Sequence, residues 1–155
     1  MNGVPNMYHV TDNIYRSGQP TNEGFKNLDG FGIKTVVNLR KWHKDNLTGT
    51  SLREVRIKMQ AWDPDIYEVA QALSVILDDS DGPYLLHCQH GSDRTGTVIA
   101  AYRIVEQGWS KREAIREMTE GPYGFHEIWT QLPAFLDSMD VSKIISLVEK
   151  FSKTL

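Results

Sequence analysis

Cys88 is the only cysteine in the 155-residue chain, and it closes an apolar run, Tyr84-Leu85-Leu86-His87-Cys88, where a glycine-bearing turn begins. Arg94 lies six positions further on and opens the segment 94–107, where Val98, Ile99, Ala101, Tyr102 and Val105 follow a helical pattern. A turn from strand into helix directs several backbone N–H groups towards one point, and the helix N-terminus adds partial positive charge there. An oxyanion is favoured at such a point. So is a thiolate, since a cysteine placed there beside cations ionises below its ordinary pKa of about 8.5. Arg94 offers a planar fork to two phosphate oxygens, which lysine cannot do. Gly91 allows the loop to curl tightly, and Gly96 allows the helix to pack closely beneath it. A lone cysteine at a strand end is ordinarily a buried structural residue. Cys88 together with Gly91, Arg94, Thr95 and Gly96 instead describes a phosphate pocket with a nucleophile at its floor.

The elements that must hold this turn are legible as alternating strands and helices. NIYRSGQPTNE (13–23) begins as a short strand and passes into a turn, after which Thr21 can cap a helix over 22–30 that ends near Gly30 or Gly32. IKTVVNL (33–39) is almost continuously apolar, as a strand covered on both faces would be. REVRIKM (53–59) alternates apolar with charged residues and suits a more exposed strand. Asp65 and Glu68 have capping-box spacing ahead of a helical pattern that Asp81-Gly82-Pro83 terminates, and Ser110 with Glu113 repeats that spacing. The segment 126–151 reads as one or two amphipathic helices. The expectation is an α/β fold with a central, mainly parallel sheet of four to five strands flanked by helices. No linker, repeat or low-complexity tract divides the chain, so 1–155 is expected to be a single domain, with 122–155 its helical C-terminal extension.

The run His87-Cys88-Gln89-His90-Gly91-Ser92-Asp93-Arg94-Thr95-Gly96 resembles the HC-x5-R-(S/T)-G signature of the cysteine-dependent protein tyrosine phosphatases. IYRSGQPT (14–21) and GIKTVVNLR (32–40) resemble the opening of the small atypical dual-specificity members, and the likeness extends over roughly residues 8–137. It implies a protein tyrosine phosphatase-like fold with Cys88 as nucleophile and Arg94 as phosphate clamp. Gln89, His90, Gly91, Ser92 and Asp93 would form the amide cradle. Thr95 would ease departure of the sulfur, and His87 would orient the loop and favour the thiolate.

An ester oxygen leaves poorly without a proton, so such a reaction calls for an acid that later activates water. The family supplies an aspartate from a loop upstream of the signature, and Ala61-Trp62-Asp63-Pro64-Asp65 resembles that loop with its order altered. Asp65 is explained as a helix cap, whose carboxylate is held ionised. Asp63 is therefore preferred. Asp93 is a further candidate, because G-x-D-R-T-G also resembles lipid- and inositol-phosphate phosphatases.

The net charge of −3 argues against a general nucleic-acid or membrane binder, so positive charge for an anion must be local. No run approaches the length of a membrane span, and no signal peptide is visible, so a cytoplasmic monomer is expected. His87, Cys88 and His90 lack the second ligand pair of a structural zinc site, and His9, His43 and His126 are read as isolated, surface or hydrogen-bonded residues; neither metal nor cofactor is expected. Trp109, Trp129, Phe125 and Phe135 are read as core. Arg16 and Arg40 end strand-like segments and either attract phosphate or sit on the surface. The loop carries no lysine or arginine before Arg94, which favours a phosphotyrosine protein over a highly charged inositol phosphate. A small phosphorylated metabolite or lipid head group comes next. A non-catalytic phosphate binder and a sulfur-transfer enzyme are the readings from other classes.

Overall fold

The structure, a computed structural model, describes residues 1–153. In chain order its elements are β1 (Tyr8–Thr11), β2 (Ile14–Ser17), α1 (Asn22–Phe31), β3 (Thr35–Arg40), β4 (Arg53–Met59), α2 (Ile66–Ile76), β5 (Tyr84–His87), α3 (Arg94–Val105), α4 (Lys111–Glu120), α5 (Gln131–Ser138) and α6 (Val141–Lys153). The five strands lie in the order β1-β2-β5-β3-β4. β2, β5, β3 and β4 are parallel, and β1 pairs antiparallel with β2 at one edge. The expected mainly parallel sheet is therefore present, with helices on both faces.

The continuous apolar character of β3 and β5 follows from that double cover. Val36 and Leu85 point to one face, where Phe25 and Leu28 of α1 pack on them. Val37 and Leu86 point to the other, into a larger cluster supplied by α2, α3, α4, α5 and α6. Full burial of each such aliphatic side chain contributes about 1.5–3 kcal/mol relative to exposure. β4 is the far edge strand and keeps the alternation expected of it, with Ile57 and Met59 buried and Lys58 exposed.

Three local readings are refined by the structure. β1 was not anticipated: it is an edge strand with no buried face to impose an alternating pattern. Of the two capping boxes, only Ser110/Glu113 closes. At α2 the Asp65 carboxylate accepts from Tyr67 N–H at 2.8 Å, while Glu68 Oε2 is buried without a partner among the described residues. A hydroxyl tolerates a carboxylate folding back on it; the Asp65 carboxylate repels one. The C-terminal helices start only at Gln131, and the irregular stretch before them returns to the sheet's C-terminal edge. Residues 154 and 155 of the expected extension lie outside the described residues.

Candidate active site

In parallel α/β sheets the crevice at the carboxyl ends of the strands is the natural place for a ligand. Here β5 ends at His87 and delivers Cys88, β3 ends at Arg40 and continues into Lys41, Trp42 and His43, and β4 ends at Met59 ahead of Ala61 and Trp62. Cys88, Arg40, Lys41, Trp42, His43, Ala61 and Trp62 line one cavity of about 440 Å³, closed on its other side by His126, Ile128 and Trp129.

Cys88 lies at the floor, 2% exposed, and its Sγ accepts a hydrogen bond from Gly91 N–H at 3.3 Å. Gln89, His90, Asp93 and Arg94 line the cavity with it, whereas Gly91 and Ser92 are buried beneath. Arg94 is tethered through Nη1 to the carbonyl of Met59 at 3.3 Å. The turn has no room for another residue at position 91. Gly91 has φ +81°, and a Cβ there would stand 2.5 Å from Ser17 C and Gly18 N. Gln19 N–H donates to Gln89 O at 2.9 Å, so the segment after β2 clamps the turn from outside. Gly96 serves as expected: a Cβ would approach Met118 Cγ to 3.0 Å.

Arg16 is neither a surface charge nor a cavity residue. It is 1% exposed, donates through Nη2 to Gly91 O at 3.0 Å, and lies 3.7 Å over the Tyr123 ring. Burial lowers its pKa, with nearby Tyr123 and Glu117 acting in the opposite sense. Arg40 does line the cavity; burial first and the Arg94 cation second lower its pKa, and its Nη1 donates to Gln19 Oε1 at 3.0 Å.

His87 is fully buried, with Nδ1 3.1 Å from Cys88 O and Nε2 2.6 Å from Asp45 Oδ2. Both ring nitrogens thus face acceptors. Asp45, which the sequence did not single out, is 6% exposed and also accepts from Gln19 Nε2 at 2.9 Å. Burial by itself would raise its pKa, but the hydrogen bond and charge of His87, with Gln19 and Glu54, hold the carboxyl below the usual range. Thr95 is fully buried, and its hydroxyl has no partner among the described residues, nor has that of Ser92.

The three candidate carboxylates are not brought together. Asp63 is exposed and outside the cavity lining, one residue beyond Trp62. Asp65 caps α2. Asp93 lines the cavity, but its Oδ1 accepts from His126 N–H at 3.0 Å and its Oδ2 lies 2.6 Å from His126 Nδ1. His126 is thus a hydrogen-bonded residue, one of the two outcomes expected of it. Trp129 belongs both to the core and to the cavity wall: Trp42 and Trp62 stack at 6.0 Å and 21°, and Trp62 meets Trp129 at 6.4 Å. Phe125, Trp109 and Phe135 pack against the core as expected. No helix among the described residues is long and apolar enough to cross a membrane.

A family model described as "DSP-PTPase phosphatase fused to NAD+ Kinase" matches residues 6–131. The chain is 34% identical over 140 residues to the dual specificity protein phosphatase TpbA of Pseudomonas aeruginosa, covering 88% of this chain and 63% of that protein. It is 30% identical over 123 residues to the inositol diphosphatase DSP5 of Arabidopsis thaliana, covering 73% of this chain and 60% of that one. The chain thus spans less than two thirds of the length of either relative. The crystal structure of a Cys-to-Ser variant of TpbA in complex with pTyr matches at TM-score 0.82 and 31% identity, over 93% of this chain and 90% of that one. The core catalytic domain of the PP-IP phosphatase SIW14 from S. cerevisiae matches at TM-score 0.82 and 25% identity, over 95% and 93%.

Proposed function

This chain belongs to the DSP-PTPase phosphatase family, and from that premise we propose that it hydrolyses phosphate monoesters through a phosphocysteine formed on Cys88. The observation that carries the proposal is the convergence of Cys88 Sγ, Arg94 and the helix-opening turn 89–93 at the floor of one cavity. The sulfur attacks phosphorus in line as the ester P–O bond breaks, and water then displaces the sulfur to release inorganic phosphate. Arg94 and the amides of 89–93 hold the equatorial oxygens, where charge is shared in both transition states. The unpartnered Thr95 hydroxyl is free to bond the sulfur as it leaves. His87, tied to Cys88 O and to Asp45, fixes the loop from below. No cofactor enters either step.

A phosphate carried on an aromatic ring fits this cavity best, because Trp42, Trp62 and Trp129 form its wall. Phosphotyrosine in a protein is the preferred substrate. A second reading, an inositol pyrophosphate or similarly charged small molecule, is favoured by Arg40, Lys41 and His43 on the lining and by the activity named for DSP5 and SIW14. On the preferred reading the enzyme works as a monomer. A reactive unpaired thiol also suits the reducing cytoplasm.

The test is phosphate release from phosphotyrosyl peptides and from inositol pyrophosphates, with Cys88→Ser beside the wild type. Cys88→Ser is expected to lower turnover by about 10⁴-fold or more. A pure wild-type protein that binds phosphate but releases none between about pH 5 and 8 would instead be the non-catalytic binder.

A further inference from the structure

Four consecutive carbonyls at the start of the turn each meet a partner that lies outside the cavity lining. Cys88 O faces His87 Nδ1 at 3.1 Å, and Gln89 O accepts from Gln19 N–H at 2.9 Å. His90 O accepts from Asn6 Nδ2 at 3.0 Å, and Gly91 O from Arg16 Nη2 at 3.0 Å. The peptide bonds of the turn are trans. In a planar trans peptide the C=O of one residue and the N–H of the next point in opposite directions. A carbonyl drawn outward therefore turns the following amide inward, and these contacts direct the N–H groups of Gln89, His90, Gly91 and Ser92 towards the side of Cys88. One of the four is directly visible, since Gly91 N–H meets Cys88 Sγ at 3.3 Å.

Two of the outer donors are side chains from the start of the chain, and both are braced on Tyr123. Asn6 Nδ2 also donates to Tyr123 O at 2.8 Å, and the Arg16 guanidinium lies 3.7 Å over the Tyr123 ring. Arg16 is 1% exposed, and its Nε has no partner among the described residues. Packing alone does not favour so deeply buried a cation. The hydrogen bond it makes goes to the turn.

We propose that Asn6 and Arg16 are positioning residues of the phosphate cradle, each setting oxyanion affinity by holding one carbonyl of the turn outward. The inference rests on the reading of 89–93 as the seat of the phosphate. Neither side chain lines the cavity, so neither touches the anion. Arg16 acts through its bond to Gly91 O rather than as a distant charge, and the uncharged Asn6 performs the same task on His90 O. Without them the peptide planes 90–91 and 91–92 are free to rotate. A carbonyl oxygen turned into the cavity repels the oxyanion that the amide attracts.

The experiment measures binding of tungstate, a phosphate-shaped dianion with no ester to cleave, by isothermal titration calorimetry well below the melting temperature of each protein. Wild type is compared with Asn6→Gly and Arg16→Met. Asn6 has φ +54°, so glycine removes the amide without straining the backbone. Arg16→Met keeps a long side chain and removes the donor. The result expected is a rise in tungstate Kd of about fivefold in Asn6→Gly and about tenfold or more in Arg16→Met, with a parallel fall in kcat/KM on p-nitrophenyl phosphate. A lowered melting temperature with unchanged Kd would make the contacts merely structural and overturn the proposal. An unchanged Kd in Asn6→Gly overturns it whatever Arg16→Met does, because weakening confined to Arg16→Met traces to charge; the test therefore stands even where Arg16→Met does not fold. A folded Arg16→Met that binds as wild type overturns it as well. A wild type that binds no tungstate removes the seat of the phosphate itself. If wild type binds tungstate and the variants weaken as expected, but no phosphate is released from p-nitrophenyl phosphate, the phosphocysteine reading fails and the cradle assignment is upheld.

Discussion

Beneath the floor of the cavity Arg16 is 1% exposed, His87 0% and Asp45 6%, whereas at its mouth Trp42 and Ile128 are each 75% exposed and Trp62 51%. Polar groups are buried beneath the place where the phosphate would sit, and large apolar groups are exposed where its carrier would sit. Both arrangements run against the usual sorting of residues between core and surface. Each of these side chains has a hydrogen-bond partner, Arg16 Nη2 on Gly91 O, His87 on Asp45 and Asp45 on Gln19, while Arg16 Nε has none among the described residues. Such a set holds the turn in place before any ligand arrives, which is what preorganised charge stabilisation needs. The mouth is assembled from three separate stretches whose rings touch one another. It can decide which carrier is accepted without disturbing the turn.

The largest effect that would test this division comes from Asp45→Asn. The substitution keeps the volume but removes the charge that faces His87, and a stability loss of about 2 kcal/mol is expected. The measurement is the urea midpoint at unchanged slope. The pH dependence follows from the lowered pKa of Asp45. Its contribution to stability is present above the ordinary carboxylate value and disappears as pH falls through the lower folded value. The wild type should therefore shed stability in acid that the Asn variant never had. Indistinguishable acid limbs would mean that the floor is not held by this pair.

Trp62→Ala should act on selection alone. Trp62 is half exposed, so stability should change little, while loss of its ring contacts is worth about 1 kcal/mol, or roughly fivefold in KM for a phosphotyrosyl peptide. Inositol phosphates should be unaffected, and Trp62→Phe should recover most of the loss. An equal rise in KM for both substrates would erase the distinction between floor and mouth.

The division also explains which parts of the site could be read in the sequence. Cys88, Gly91, Arg94 and Gly96 are neighbours in one strand–turn–helix, so their geometry is set locally and their spacing conveys it. Arg16, Asp45 and His126 act across 75, 42 and 33 residues of chain, onto Gly91, His87 and Asp93. Arg16 did leave a trace: it shares the two-residue period with Ile14, so a buried Ile14 places Arg16 inside as well. Asp45 and His126 sit in irregular segments where no period exists to reveal burial. The sheet was legible because β3 and β5 are covered on both faces; β1 was not, because none of its residues is buried. Local context favours Asp63 over Asp65 as the acid, and the structure leaves it exposed, one residue beyond Trp62 of the cavity wall.

The smallest effect should come from Glu68, at the junction between the mouth loop and α2. Burial, then repulsion from Asp65 and Asp63, pushes its carboxyl up to about 7, with Lys41 opposing. A raised carboxyl means that the folded chain holds a proton the unfolded chain has lost. Between the ordinary glutamate value and about 7, stability therefore declines as pH rises, and above that the full cost of an ionised Glu68 is present. Glu68→Gln removes that slope. Because the group is partly exposed and solvent screens it, the gain at about pH 8 should be no more than about 1 kcal/mol, or roughly 2–4 °C in melting temperature. At about pH 5 the two proteins should melt together. A gain of the same size at both pH values would trace to packing rather than charge, and the acidic cluster beside Trp62 would then place no electrostatic strain on the mouth that the paired charges of the floor avoid.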